Sequence, residues 1–516
     1  MIRNLLSVGG FTLLSRITGF FRDVMLSAIL GAGLVSDAFF IAFRLPNHFR
    51  AIFGEGAFNA AYVPCYSKAL EQEGARSAKE FSSEVFTLLL TSQIVLLALA
   101  FAFMPEFVAL LAPGLEDRPE KFELAVTMTR ITFPYLLFMT LVTLHQGTLN
   151  ANGRFAAAAF APNLLNLSVM AALAVSYLFP DAGVAASCGV AVSGILQLAL
   201  LMADARRAGV LEGLAWPRWK RVREFFLMLG PAIIGSAGGQ IAVFADTIIA
   251  SMLPDGGLSA ITYADRIYQL PNGVIGLAAG TVLLPEMSRR IAAGDEASAH
   301  ETQNRVMALT IALAAPFFVA FVTIPELIMS GVFMRGKFTA EAALASAEVL
   351  TAYGGGLLAL VLIASARASF QARGDTKTPM YVFFGALAVN IALKIALFRP
   401  MGAAGLATAT SVGLWINLAA LVGIALHRGA MRFDETFLRV CAASLAAAIP
   451  LGAIAILGFA PAAEIGSSFG SLGNVVTLLL LGAAGALVYA AALFAGLRLF
   501  GLRLSQLRRP AGGRRI

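Results

Sequence analysis

Eight basic residues fall inside, or at the edge of, stretches that are otherwise apolar: Arg16, Arg22, Arg44, Arg50, Arg130, Arg266, Arg367 and Lys394. An arginine near the middle of a membrane-spanning helix costs at least about 2.5–3.5 kcal/mol to insert, so it normally faces a bundle interior or a wet cavity. Several together need a common reason, and the guanidinium supplies one. Its planar fork matches phosphate oxygens bidentately, keeps its charge at any working pH and tolerates partial dehydration better than an ammonium does. A diphosphate carried across a bilayer needs such a cradle. A cation exporter would need bare carboxylates instead, and here basic residues outnumber acidic ones at depth.

The spacing groups these residues. On an ideal helix Arg16 and Asp23 lie about 20° off one line, with Arg22 about 100° from Asp23, so one broad polar face results. Gly9, Gly10 and Gly19 leave that helix thin. Asp37 and Arg44 are also seven apart, and Pro46 breaks the hydrogen-bond ladder just before Asn47, followed by Arg50 and Glu55. Later in the chain Asp265 and Arg266 are adjacent, which keeps them off one face, with Pro271 beyond. Asp23, Asp37, Asp246 and Asp265 are expected to hold the arginines and to balance them when the site is empty. A purely structural reading competes at each position. Arg22 or Arg16 could pair with Asp23 only to lock helices, Arg266 could pair with Asp37 or Asp246, and Arg44 and Arg50 could snorkel to the interface. Arg130, Arg367 and Lys394 are best read as snorkelling.

The elements that must position these side chains follow from composition. Of 516 residues, 59% are hydrophobic and 13% charged, against roughly 25% charged in a soluble domain. Apolar runs set against turn signals predict an all-α polytopic membrane protein of about fourteen spanning helices. The runs lie near 5–30, 34–56, 81–104, 122–150, 157–179 and 184–204, then 223–252, 258–288, 304–331, 341–370, 378–398 and 403–426, and finally 436–458 and 474–500. The first run carries Arg16, Arg22 and Asp23 and no small-residue cleavage site, so it is expected to be retained as a helix. The net charge of +8 is topological rather than a sign of nucleic-acid binding. Loops on the side of the N-terminus hold 25 Lys and Arg and the opposite loops hold 5, which predicts both termini in the cytoplasm. Cys65, Cys188 and Cys441 have neither metal-ligand nor disulfide spacing.

The chain also repeats itself. Ser36–Asn47 resembles Ile261–Asn272 at an offset of 225, Leu149–Arg154 echoes Phe370–Asp375 at 221, Ala182-Gly183 matches Ala404-Gly405 at 222, and Asp23 matches Asp246 at 223. Four matches in order at nearly one offset predict two parallel six-helix repeats, an N-lobe over 1–210 and a C-lobe over 211–430. Residues 431–516 hold two extra helices and a basic tail. Repeat transporters place substrate near the midplane between repeats and rock one against the other.

With these residues in hand the sequence is identified as similar to a known family. The run Ser15-Arg16-Ile17-Thr18-Gly19-Phe20-Phe21-Arg22-Asp23, with Asp37-Ala38-Phe39-Phe40, Leu45-Pro46-Asn47, Phe53-Gly54-Glu55-Gly56-Ala57-Phe58, Tyr263-Ala264-Asp265-Arg266 and Leu283-Leu284-Pro285, resembles the MurJ (MviN) lipid II flippases. These belong to the multidrug, oligosaccharidyl-lipid and polysaccharide exporter superfamily. The resemblance runs essentially the whole length. It implies a two-lobed carrier with a V-shaped cavity in the bacterial inner membrane. Its cargo would be undecaprenyl-diphosphate-linked disaccharide-pentapeptide, moved to the periplasmic leaflet for peptidoglycan synthesis. The family's essential cavity arginines fall on Arg16, Arg22, Arg50 and Arg266, and its groove for the polyprenyl tail falls on the two extra helices. Where some relatives have a second basic residue after Arg50, this chain has Ala51.

Other functions leave marks that can be sought. A flippase for another polyprenyl-diphosphate glycan differs only in motif identity. A cation-coupled drug exporter is disfavoured by the arginine excess. A polytopic glycosyltransferase acting on the same lipid needs carboxylates or a metal at an aqueous face, and there is no Asp-x-Asp pair and no cluster among His48, His145, His300 and His427. No phosphate-binding Gly-rich loop with Lys and Ser or Thr is present either. The expectation is a transporter without cofactor or metal, its empty state reset by a membrane potential or a monovalent ion gradient. Its partners would be the lipid-linked substrate, membrane lipids and cell-wall synthesis or division proteins, with no nucleic acid, and its state a monomer.

Overall fold

In hydrocarbon every backbone N–H and C=O must be satisfied within the chain, which leaves helices as the economical solution for an apolar sequence. The computed structural model describes residues 2–54 and 57–502, and side chains there except those of 2–7, 45, 49–54, 57, 234–239, 277–279 and 281. Among the described residues every regular element is a helix. They fall into two compact units, Met1–Ser259 with Arg335–Phe338, and Ala260–Met334 with Thr339–Ile516.

The first unit holds α1 (Ile2–Leu30), α2 (Leu34–Gly54), α3 (Ala57–Glu73), α4 (Ala75–Ala102), α5 (Met104–Leu111), α6 (Pro119–Thr132), α7 (Pro134–Ala151), α8 (Ala156–Ala174), α9 (Ala182–Arg207) and α10 (Trp219–Ser251). The central stack is α1 on α8 on α9, with α7 on the other side of α9. Helices in lipid gain nothing from hydrophobic exclusion and associate by close packing of small residues. Gly189 on α9 meets that need: a Cβ there would stand 2.8 Å from the Val169 Cα of α8. α2 packs on α6, and α10 packs on α3 and α2. α10 is built into the first unit, whereas the expected C-lobe of 211–430 includes it.

The second unit holds α11 (Gly257–Pro271), whose first turn counts with the first unit, then α12 (Leu277–Ala292), α13 (Glu296–Thr323), α14 (Pro325–Phe333), α15 (Ala340–Gly354), α16 (Leu357–Gln371), α17 (Lys377–His427), α18 (Glu435–Leu457), α19 (Phe459–Ser467) and α20 (Gly473–Leu499). α18 packs between α13 and α20. Its inward side is small, with Ala443 and Ala447 buried, while Leu445 and Ile449 point out, as do Leu479 and Leu487 of α20. A soluble protein hides such residues. Here the large apolar side chains face the lipid and the small ones let the helices touch.

Helix limits follow local chemistry. Pro119, Pro134 and Pro325 each open a helix, where the missing N–H has no partner to lose. Asp181, Asp295 and Asp434 cap α9, α13 and α18 by accepting from backbone N–H groups. Four runs expected as single helices are divided: 122–150 breaks at Pro134, 258–288 passes through a π-helical turn at Asn272–Gly276, 304–331 breaks at Ile324 before Pro325, and 341–370 breaks at Gly355 and Gly356. α3 was not among the expected spans, and α4 begins earlier than expected, at Ala75. Nine helical stretches among the described residues are long and apolar enough to cross a bilayer. One of them, the 51-residue α17, is interrupted at Gly402, where φ is +55°. The charged helices α1, α2 and α11 are not among the nine.

Candidate functional site

The polar face of α1 is bound to α8. Arg22 and Asp23 are both buried, and the guanidinium reaches Asp23 Oδ1 from Nη2 at 2.7 Å and from Nε at 3.0 Å. Arg22 Nη1 also donates to Asn166 Oδ1 at 3.1 Å. The amide of Asn166 turns its Nδ2 back to the Ser15 carbonyl and the Thr18 hydroxyl, at 3.0 and 2.9 Å. Asn163, one turn earlier, donates to the Phe11 carbonyl at 3.4 Å. Arg22 is therefore fixed in place by a carboxylate on its own helix and an amide on the neighbour. Arg16 differs: it is exposed, and its guanidinium joins none of the hydrogen bonds or ion pairs among the described residues. It offers a full set of donors to a ligand.

Asp37 stands at the first turn of α2, wholly buried. It does not pair with Arg44. Lys121 of α6 donates to Asp37 Oδ2 at 2.8 Å and to Asp255 at 2.9 Å, with only 2% of its side chain exposed. Asp37 Oδ2 also accepts the Gly256 N–H at 2.9 Å, and Oδ1 accepts the Ser259 N–H at 2.8 Å and the Ser259 hydroxyl at 2.5 Å. Arg118 closes the group from the rim, donating to Asp255 at 3.0 Å and to the Leu253 carbonyl at 2.9 Å. Beside it the Lys337 N–H donates to the Ala28 carbonyl at 2.7 Å. Gly31, with φ +72°, allows this approach, because a Cβ there would lie 2.6 Å from the Lys337 oxygen. One end of the first unit is thus a charged latch joining the end of α1, the starts of α2 and α6, and segments that follow α10 and α14. The Lys121 hydrogen bond, aided by Arg118 and opposed by burial, holds the Asp255 carboxyl below the usual carboxylate range.

The remaining expected residues are placed as follows. Arg44 and Asn47 are half-buried on α2, and the neighbouring His48 Nε2 lies 3.0 Å from the Thr247 hydroxyl of α10. Asp246 is half-buried on α10. The side chain of Arg50 and the whole of Glu55 lie outside the described residues. In the second unit Asp265 is half-buried and accepts from Gln269 at 3.3 Å, while Arg266 is exposed on the same helix. Arg130 and Arg367 are exposed, and Lys394 is buried. Sequence reasoning missed two residues. Asn166 leaves only a faint trace, two asparagines three apart in an alanine-rich helix, and Lys121 sits near a turn, where a lysine reads as a loop charge.

A sequence model described as "Lipid II flippase MurJ" matches residues 26–471. The chain belongs to the MurJ family. A probable lipid II flippase MurJ of Rhizobium meliloti (strain 1021) is 39% identical over 517 residues, covering 99% of this chain and 96% of that one. The lipid II flippase MurJ of Burkholderia cenocepacia is 35% identical over 428 residues, 81% of this chain and 82% of that one. A solved MurJ structure, titled as an inward closed conformation, superposes with a TM-score of 0.78 at 24% identity, over 95% of this chain and 98% of that chain. An inward-facing multidrug transporter of the MATE family has the same fold at a TM-score of 0.64 and 14% identity, over 82% and 97%. By its family this chain is a polytopic transporter rather than an enzyme.

Proposed function

We propose that this chain, as a MurJ-family lipid II flippase, carries the lipid-linked precursor by alternating access and grips its diphosphate with Arg16, Arg22, Arg50 and Arg266. The observation that carries the site is the contrast on α1. Arg22 is pre-set by Asp23 and Asn166, and Arg16 is exposed with unused donors. A diphosphate needs several oriented cations but must also leave, and one fixed and one free guanidinium suit both demands. Arg50 and Arg266 enter by their place in the family motifs.

In this reading fourteen spans form two parallel six-helix repeats with two further helices, divided near 210 and 430, and both termini are cytoplasmic. The latch at Asp37, Lys121 and Asp255 then lies on the periplasmic side and must part before substrate is released there. A membrane potential or a monovalent ion gradient resets the empty carrier. Wall-synthesis or division proteins are its protein partners, and the chain works as a monomer.

In a strain that depends on this gene, Arg16→Ala should block growth and make lipid II accumulate in the cytoplasmic leaflet, with the protein present at normal level. Accumulation in the periplasmic leaflet instead would mean that a later step, not flipping, had failed. Normal growth of Arg16→Ala, Arg22→Ala and Arg266→Ala alike would remove the cradle.

A further inference from the structure

The polar cluster that transport leaves unused lies at the opposite end of the first unit from the latch. It is built around a carboxylate from a connecting segment. Residues 210–218, between α9 and α10, form no regular element, yet they are fastened along α4. Ser83 Oγ accepts the Gly213 N–H at 3.1 Å, Thr87 Oγ1 that of Ala215 at 3.0 Å, and Glu84 Oε2 that of Arg218 at 3.2 Å. From this strap Glu212 turns inward. Its Oε1 accepts from the Ser82 hydroxyl at 2.8 Å and from Thr148 of α7 at 2.6 Å. The Tyr62 hydroxyl of α3 closes the ring, 2.7 Å from each of those hydroxyls. Glu212 Oε2 stands 2.6 Å from His145 Nδ1, and the two side chains are 0% and 1% exposed. Neither of these two atoms, nor His145 Nε2, has an aligned hydrogen-bond partner among the described residues.

Two bare acceptors do not rest 2.6 Å apart in a buried place, so one of the two atoms carries a hydrogen, and with Glu212 Oε1 already accepting from Ser82 and Thr148 the ionised carboxylate with the hydrogen on Nδ1 is the favoured arrangement. With the imidazole neutral, the cluster keeps an uncompensated buried negative charge, which is costly. Burial pushes the Glu212 carboxyl up, but the contacts from His145, Thr148 and Ser82 outweigh it and leave it below its usual range. Two hydroxyl donors on Oε1 and the imidazole beside Oε2 favour the ionised form. One more proton, placed on Nε2, cancels the charge and makes an imidazolium–carboxylate pair, with the Phe86 ring 5.9 Å from the imidazole. The neighbouring charges are already engaged. Tyr66 on α3 accepts from Asn152, Arg221 of α10 binds Glu80 and Glu84 of α4, Lys68 binds Glu224, and Arg154 binds Asp204 of α9.

We propose that Glu212 and His145 form a proton-binding site whose occupancy is tied to docking of the 210–218 strap. The bond that forms is N–H at His145 Nε2, with the proton drawn from the aqueous medium, and no other bond changes. When the strap lifts, Glu212 returns to water and His145 stays among apolar neighbours without its counter-charge, so the proton leaves. Docking takes up a proton. Because the strap joins the end of the first repeat to the start of the second, the site paces the movement of α10. That consequence rests on the transporter reading, whereas the docking equilibrium does not.

Trp216 and Trp219, two of the three tryptophans, are exposed on and beside the strap and report its state. In purified full-length protein carrying Trp415→Phe, their emission is followed from about pH 5 to about pH 8, the range of histidine titration. Glu212→Ala supplies the emission of the lifted strap. The docking constant should fall with rising pH, approaching about tenfold per pH unit for one linked proton. His145→Gln, whose amide can still donate to Glu212, and Glu212→Gln should each dock with no pH response. A parent emission that is flat across the range, or either Gln variant keeping the parent's response, overturns the site. Neither outcome depends on lipid II being moved.

Discussion

Arg16 and Arg22 share one helix but obey different physics. Arg22 is the buried partner of Asp23, and removing one member of a buried pair strands the other at a cost of about 3–5 kcal/mol. Arg16 is exposed and partnerless among the described residues, so its loss falls in the range of about 0.5 kcal/mol seen at ordinary surface positions. Thermal unfolding of the detergent-solubilised variants should therefore fall clearly for Arg22→Ala and hardly at all for Arg16→Ala. Equal losses would show that Arg16 is structural. Both residues and Asp23 were legible in the sequence, because charge inside an apolar run is anomalous on its face. Asn166 was not, because spacing along one helix says nothing about which neighbour it will touch. The clearest miss is Lys121, counted as a topological loop charge, which the fold buries between two aspartates.

Among the elements, the latch is the device that spacing could not reveal, since it draws on α2, α6 and segments some 130 and 220 residues further along the chain. Lys121→Met should cost the latched end about 3–5 kcal/mol by leaving Asp37 and Asp255 without their common cation. A cysteine in place of Ser36, now buried, should then react several-fold faster with a membrane-impermeant thiol reagent. Unchanged labelling would show that the latch does not hold this end closed. Acid acts in the same direction for a different reason. A carboxyl whose pKa is lowered by folding stabilises above its free value, near 3.9, and loses that contribution as pH falls through the lowered value. Asp255 is such a group, so labelling should stay constant through neutral pH and rise only below about pH 4. The helical runs themselves were readable. Their breaks at Pro134 and at Gly355 and Gly356 were less so, because apolar character continues straight across both.

For the molecule as a whole, the proposed orientation, with both termini in the cytoplasm, rests on the asymmetry of 25 basic loop residues against 5. With Cys65, Cys188 and Cys441 replaced, a single cysteine at Arg3 or at Arg515 should react with an impermeant reagent only after the cells are opened. Labelling of either in intact cells would reverse the orientation and move the latch to the cytoplasmic face. The overall helical character was fully legible from composition, whereas the packing of α10 on α3 and α2 was not, because no sequence repeat records those contacts. At the rim of the latch, Arg118 and Asp255 remain partly open to solvent, with 34% and 47% of their side chains exposed. In the proposed orientation that rim looks outward. A small molecule able to brace the two against each other would hold the carrier shut from outside the cytoplasm and starve the wall of precursor. It would have no inner membrane to cross and no efflux from the cytoplasm to outrun.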